Sequence, residues 1–374
     1  MIIELLQVAL GIRERLSRSL SAEEWRYLYD QILNQAISGV CFAGVEKLPK
    51  DQFPPNELLF EWFGDVTLIK QRNQQVDQQT AEIWKRLKED GLDAAILKGQ
   101  GIATMYEGRC KKEDVKLGDL RQPGDIDIWV KGGYQKVCDY VQRTHPTEDV
   151  AYHRFHYDYF KDTEVELHHR PTLMRNLLDD RKLARWYNSF GADSFVYLKE
   201  KGFAVPPPEF NRIFILTHIY RHFLFEGIGL RQVMDYYFVL RNGHTDITES
   251  ADIISPAEKA EIAETLTHLR LTRFAEAMMW ILHTQLGLER QYLICGMNEK
   301  EGRFVLDEIL QTGNFGQADS RYQFKRWYKL RHHIAHGSHL LMHYPSEVVW
   351  TPIWLVYHKV WKWDKKRKIR QSRK

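Results

Sequence analysis

The sequence predicts an α+β protein in which a small mixed sheet is embedded in mostly helical structure. Apolar residues recur at helical spacing before residue 90 and after residue 205, and short strand-like runs lie between these two regions. The run Pro206-Pro207-Pro208 reads as a linker. We therefore predict an N-terminal helical region at 1–90, an α/β domain at 91–205 and a C-terminal helical domain with a basic tail at 206–374.

Helix signals flank the central region on both sides. Ser21-Ala-Glu-Glu24 has the pattern of a capping box, and apolar residues follow it at helical spacing. A second long pattern ends near Asp90, with Gly91 at the position of a C-terminal cap. After the prolines, FNRIFILTHIYRHFLF and GLRQVMDYYFVL read as amphipathic helices, and Ser255-Pro-Ala-Glu258 opens another.

The sheet is predicted to begin at residue 92. LDAAILKG is a short apolar run that ends in glycine, which is typical of a buried strand. Further strands are predicted at 126–130 and 163–168, with a helix over 134–143 between them.

Composition and charge exclude several classes of protein. The 374 residues carry a net charge of +3, but 362–374 alone contribute +7, which leaves about −4 for the rest of the chain. This mildly acidic body argues against nucleic acid as a partner. The four cysteines form no C-x-x-C pair, no signal peptide is evident and no apolar run is long enough to span a bilayer. We expect a cytoplasmic location.

Gly124-Asp125-Ile126-Asp127 is the most informative motif. In a strand, residues i and i+2 point to the same side, so Asp125 and Asp127 would share one site. Two adjacent carboxylates repel each other unless a cation or a proton intervenes, and hard oxygen ligands suit Mg²⁺. The alternative is a solvent-facing pair near a strand end. We expect the side chain of Asp127 to be reachable by solvent, so that Asp127→Asn would barely change stability.

Two further segments extend this site. The strand before the acidic motif ends in the turn Lys98-Gly99-Gln100-Gly101, where glycines would let the backbone approach a phosphate and Lys98 would add a positive charge. The alternative is an ordinary strand-to-helix turn. Downstream, Glu166 in VELHH could bind a metal or deprotonate an acceptor, and Glu164 is the alternative for that role.

In this order, the three elements resemble the DNA-polymerase-β-like nucleotidyltransferase superfamily. The similarity is greatest to a bacterial branch of that superfamily. It rests on Leu97-Lys98-Gly99, on Arg121 before Gly124-Asp125-Ile126-Asp127, and on Glu166-Leu167-His168. The common serine of the glycine turn is missing, because Gln100 and Gly101 follow Gly99 here.

The resemblance implies a minimal nucleotidyltransferase sheet and an enzyme that uses Mg²⁺ or Mn²⁺. Such an enzyme moves a nucleoside monophosphate from a nucleoside triphosphate to an acceptor hydroxyl or phosphate, which the sequence does not identify. The implied catalytic and metal-binding residues are Asp125, Asp127 and Glu166, and the implied nucleotide-binding residues are Lys98, Gly99, Gln100, Gly101 and Arg121. The alternative is a non-catalytic, antitoxin-like regulatory or nucleotide-binding module of the same fold, which the missing serine favours.

Other polar groups have two interpretations each. Arg109, Lys111 and Lys112 lie in a long charged insertion that is either a lid over the triphosphate or a solvated loop. His218 and His222 have zinc-ligand spacing but no evident third ligand, so ordinary core or surface histidines are favoured. At i, i+4 spacing, the pattern predicts a helix ion pair between Arg231 and Asp235.

The basic tail follows a stretch rich in tryptophan. Trp350, Trp354, Trp361 and Trp363 precede KKRKIRQSRK. One interpretation is peripheral attachment to an anionic membrane or to nucleic acid. The favoured one is that the tryptophans pack inside the helical domain and the tail is solvated.

Overall fold

The computed structural model describes residues 1–106, 116–242, 254–316 and 339–372, and it confirms the α+β fold class. The chain forms two compact units. The first contains Met1–Val76, Ile102–Pro123 and Glu226–Asp319, and the second contains Asp77–Gly101, Gly124–Phe225 and Ser320–Lys374. The division of the sequence into three consecutive regions stays a prediction.

Helices account for most of the described chain. In order they are α1 (Ile2–Ala9), α2 (Ala22–Asn34), α3 (Ser38–Val45), α4 (Asn56–Glu89), α5 (Gln100–Ala103), α6 (Gly133–Thr144), α7 (Leu177–Ser189), α8 (Pro208–Phe225), α9 (Leu230–Arg241), α10 (Pro256–His268), α11 (Thr272–Trp280), α12 (Glu299–Thr312) and α13 (Pro345–Ser372). Within the described ranges, none is long and apolar enough to cross a membrane.

The predicted helix ends are confirmed where the sequence carried cap signals. The amide of Glu24 donates to the hydroxyl of Ser21, and the amide of Ser21 donates to the Glu24 carboxylate, so α2 begins with a complete capping box. Gly91 has φ +77°, a left-handed conformation that glycine adopts without the clash of a Cβ atom. Ser255 caps α10 by accepting from the amide of Glu258.

The second unit contains the sheets. The strands are β1 (Ala94–Ile96), β2 (Ile126–Val130), β3 (Arg154–His156), β4 (Val165–His168), β5 (Val196–Leu198) and β6 (Phe203–Val205). The main sheet has the order β1-β2-β4-β3, in which β2 and β4 are parallel and the other two pairs are antiparallel. It is mixed, as predicted. The strands β5 and β6 form a separate hairpin.

The strands that the sequence predicted are present, although two are shorter than expected. The strand β2 occupies the predicted 126–130, whereas β1 and β4 are confined to parts of the predicted runs. The strand β3 was not predicted, because only Phe155 of its three residues is apolar and no alternation can be recognised over so short a segment.

Candidate metal site

The parallel pairing of β2 with β4 brings the predicted carboxylates together. Asp127 lies directly opposite Glu166, and their neighbours Ile128 and Leu167 face the other side of the sheet. His168 is two residues beyond Glu166 and therefore projects from the same face as the two acids. The side chains of this face meet because strand alternation and register act together.

The three side chains form a tight buried cluster. Asp127 Oδ1 and Glu166 Oε2 lie 2.9 and 3.2 Å from His168 Nε2. One ligand atom from each residue lies within 4.8 Å of the others, a grouping that can hold a metal ion. Asp127 is 2% exposed, which corrects the expectation of a solvent-reachable side chain. Its removal therefore affects the interior of the unit.

Two cations from neighbouring segments compensate the carboxylates. Lys98 Nζ lies 3.0 Å from Asp127 Oδ2, and Arg154 on β3 forms an ion pair with Glu166. Neither pairing followed from the sequence motifs, because Lys98 was predicted to hold phosphate and Arg154 drew no attention. The site carries its own counter-charges without a metal.

The electrostatic environment separates the two acids. Burial alone would raise the pKa of Asp127, but Lys98 and His168 outweigh it and hold that pKa far below its ordinary value. For Glu166, burial dominates and, together with the charge of Asp127, raises the pKa. Asp127 is thus the more firmly ionised of the two.

His168 is oriented by the backbone. Its Nδ1 lies 3.2 Å from the carbonyl oxygen of Pro171, which fixes Nδ1–H as the donor and turns Nε2 toward the carboxylates. Burial lowers the pKa of His168, but hydrogen bonds to Asp127 and Glu166 reverse this and raise it. When neutral, Nε2 offers a lone pair to a metal. The sequence motifs did not identify this histidine as a ligand, although its i+2 spacing from Glu166 was visible.

The other predicted acids lie differently. Asp125 is exposed and precedes β2 by one residue. It is not among the three clustered ligands, but its charge helps to raise the pKa of Lys98 against the opposing effect of burial. Glu164, the alternative to Glu166, is also exposed and lies 3.0 Å from His156 Nδ1. Glu166 is the acid that faces Asp127.

The glycine turn leads from β1 into α5. Gly99 has φ +58°, so a residue with a side chain would be strained there. Gln100 is buried and donates from Nε2 to Asp77 Oδ1 at 2.6 Å, so its amide is directed toward α4. A Cβ atom on Gly101 would come within 3.1 Å of the Ile96 carbonyl oxygen. Close packing accounts for the small residue at this position.

Arg121 belongs to the first unit and is buried there. Its Nε and Nη2 lie 2.7 and 2.8 Å from the two carboxylate oxygens of Asp235, and the hydroxyl of Tyr106 donates to the same carboxylate at 2.7 Å. Asp235, expected to pair with Arg231, thus has a bidentate arginine partner from a distant segment. A role of Arg121 in nucleotide binding stays a prediction.

The remaining candidates contribute no described ligand to this cluster. Arg109, Lys111 and Lys112 fall outside the described residues. The rings of His218 and His222 lie 4.4 Å apart on α8. Burial and nearby cations hold the pKa of His218 well below its ordinary value, as in a packed, neutral histidine.

A comparison with known families decides the class of this protein. Residues 21–284 match the family described as uncharacterised nucleotidyltransferase. The chain belongs to this nucleotidyltransferase family. The matched range includes the glycine turn at 98–101, the strands β2 and β4 that carry Asp127 and Glu166, and His168. No curated protein and no solved structure matches the chain.

Proposed function

We propose that the protein is a metal-dependent nucleotidyltransferase of the DNA-polymerase-β-like type. The observation that carries this proposal is the buried group of Asp127, Glu166 and His168 in a chain of a nucleotidyltransferase family. The acceptor oxygen would form a bond to the α-phosphorus of a nucleoside triphosphate, and the proton of an acceptor hydroxyl would pass to water. The bond from that phosphorus to the bridging oxygen would break, and pyrophosphate would leave with the electron pair.

The donor set fits a divalent cation. Two carboxylates and one imidazole nitrogen would hold it. Because Mg²⁺ prefers an all-oxygen shell, this mixed set suits Mn²⁺ better than Mg²⁺. When bound, the cation would supply Lewis-acid neutralisation of the phosphate charge. Asp127 supplies the carboxylate that stays ionised, and Pro171 keeps the imidazole in the ligating tautomer.

Lys98 gives the site a means of accepting a triphosphate. Its ammonium group is now paired with Asp127, and it lies at the start of the turn that bends at Gly99. Once Asp127 binds a cation instead, Lys98 can offer its charge to a phosphate oxygen. Asp125, exposed beside the start of β2, would approach the bound substrate from the solvent side.

The test compares Glu166, which lies in β4, with Glu164, which lies just before β4. Glu166→Gln should no longer bind Mn²⁺, as measured by electron paramagnetic resonance. It should also no longer release labelled pyrophosphate from γ-labelled nucleoside triphosphates in the presence of a cell extract. Glu164→Gln removes an exposed acid two residues away and should retain both. If the wild type binds nucleotide without releasing pyrophosphate, the non-catalytic regulatory module takes precedence. Equal Mn²⁺ binding by the two variants would refute the metal site.

A further inference from the structure

The helix α13 exposes a continuous apolar stripe. Val349, Ile353, Val356, Val360 and Trp363 are each between 51% and 67% exposed. They recur at alternating spacings of four and three residues, so they lie on one side of the helix. Exposing such a row of apolar side chains to water is unfavourable in free energy, and a patch of this kind marks an interaction surface.

The opposite side of α13 already has its partners. The carboxylate of Glu347, 2% exposed, accepts from the backbone amides of Arg175 and Asn176. Trp354 is 8% exposed, and the ring of Trp361 packs edge-on against Tyr134. Trp354 and Trp361 are therefore packed, but against Tyr152 and Tyr134 of the predicted α/β domain and not inside the helical domain as expected. Trp363 faces outward with the stripe.

Cations lie beside and beyond the C-terminal half of the stripe, and two of them, Lys362 and Arg370, pair with Asp149 and Glu148. From 345 to 372 the sequence has seven Lys or Arg against two acids, of which Glu347 is buried and Asp364 is paired with Lys368 at 2.9 Å. Lys359 and Arg367 are exposed and flank or continue the stripe. No ion pair involves either of them within the part of the chain that the structure describes.

This combination selects the partner. A second copy of the helix would bring like charges together along the seam, with Arg367 continuing the apolar row, which costs free energy. Nucleic acid would neutralise the cations but offers no surface for Val and Ile side chains. An anionic bilayer accepts both, since aliphatic groups enter the acyl boundary while lysine and arginine reach the headgroups. We propose that this face of α13 binds the surface of anionic phospholipid membranes.

The test uses the full chain and matched variants. The wild type should co-sediment with vesicles of phosphatidylcholine containing about 30 mol % phosphatidylglycerol, and not with pure phosphatidylcholine. The double variant Val356→Ser, Val360→Ser should bind at least about tenfold more weakly, because two aliphatic groups are lost. Phe60→Ser is the control, since Phe60 is an equally accessible apolar residue, 75% exposed on α4. It should bind like the wild type.

Three results would overturn the proposal. One is the absence of binding to anionic vesicles by the wild type. Another is equal binding by the wild type and the double variant. The third is a concentration-dependent dimer in sedimentation velocity that the double variant abolishes without any vesicle binding, which would assign the stripe to a second copy. None of these readouts depends on nucleotide transfer, so the proposal stands or falls separately from the proposed function.

Discussion

Asp127→Asn should lower the free energy of unfolding of the metal-free protein by about 2–3 kcal/mol. The substitution keeps the shape of the side chain, and one amide oxygen can still accept from His168 Nε2 at the 2.9 Å position. What it removes is the negative charge that faces Lys98 Nζ at 3.0 Å. An ammonium group would then remain in the cluster without its nearest counter-charge.

The magnitude follows from the burial of the two partners. Removing one member of a buried ion pair costs about 3–5 kcal/mol, because the other charge is left desolvated. Lys98 keeps 24% of its side chain exposed and also feels the charges of Asp125 and Glu166. Both features reduce the penalty, which places the expected loss of about 2–3 kcal/mol just below that range.

The assay is urea denaturation of the metal-free protein, followed by circular dichroism. Asp125→Asn is the matched control, because Asp125 is exposed and lies two residues away in the same motif. Its unfolding free energy should change by no more than about 0.5 kcal/mol. The difference in stability between the two variants therefore does not depend on whether either of them retains nucleotide transfer. Identical denaturation midpoints for Asp127→Asn and the wild type would refute the reasoning.

Three more predictions concern buried charges. Asp235→Asn should lower the free energy of unfolding, measured by urea denaturation, by about 3–5 kcal/mol, because it leaves the buried Arg121 without its counter-charge. An unchanged denaturation midpoint would contradict a structural role for the pair. Burial raises the pKa of Glu347 to about 7, so its neutral form stabilises the fold at low pH and that contribution is lost as pH rises through 7. Between about pH 5 and pH 8, the free energy of unfolding of the wild type should therefore fall by up to about 3 kcal/mol relative to that of Glu347→Gln. A difference between the two proteins that stays constant with pH would count against this assignment. Mn²⁺ affinity should rise with pH through the raised pKa of His168, because the imidazolium cannot ligate, and titrations of His168→Gln should show a flatter dependence.

Local patterns were sufficient for the strands that carry the acids. The alternation around Asp127 and Glu166 gave the strand positions and the side on which each carboxylate lies, because strand periodicity is a property of consecutive residues. The same alternation placed His168 beside Glu166, so its participation was available from the sequence. The parallel pairing that sets Asp127 opposite Glu166 was not predicted, since the family resemblance implied only that these acids share one site.

The counter-charges were beyond a reading of local patterns. Arg154 belongs to a strand too short to recognise, and its contact with Glu166 depends on the pairing of β3 with β4. Arg121 and Asp235 are 114 residues apart, and nothing in either neighbourhood identifies the partner. Motif spacing predicts which groups carry chemistry, whereas the long-range pairs that hold them depend on the complete fold.

The register of β2 against β4 has a consequence for how this protein can change over evolution. A shift by one residue would turn Asp127 or Glu166 into the apolar side of the sheet, so insertions inside either strand should be eliminated by selection. The chain that connects the strands is free of this constraint, since lengthening a loop costs little closure entropy. Segments such as 146–149, in which no residue is buried, can therefore diverge in length among descendants while the two carboxylates keep their pairing.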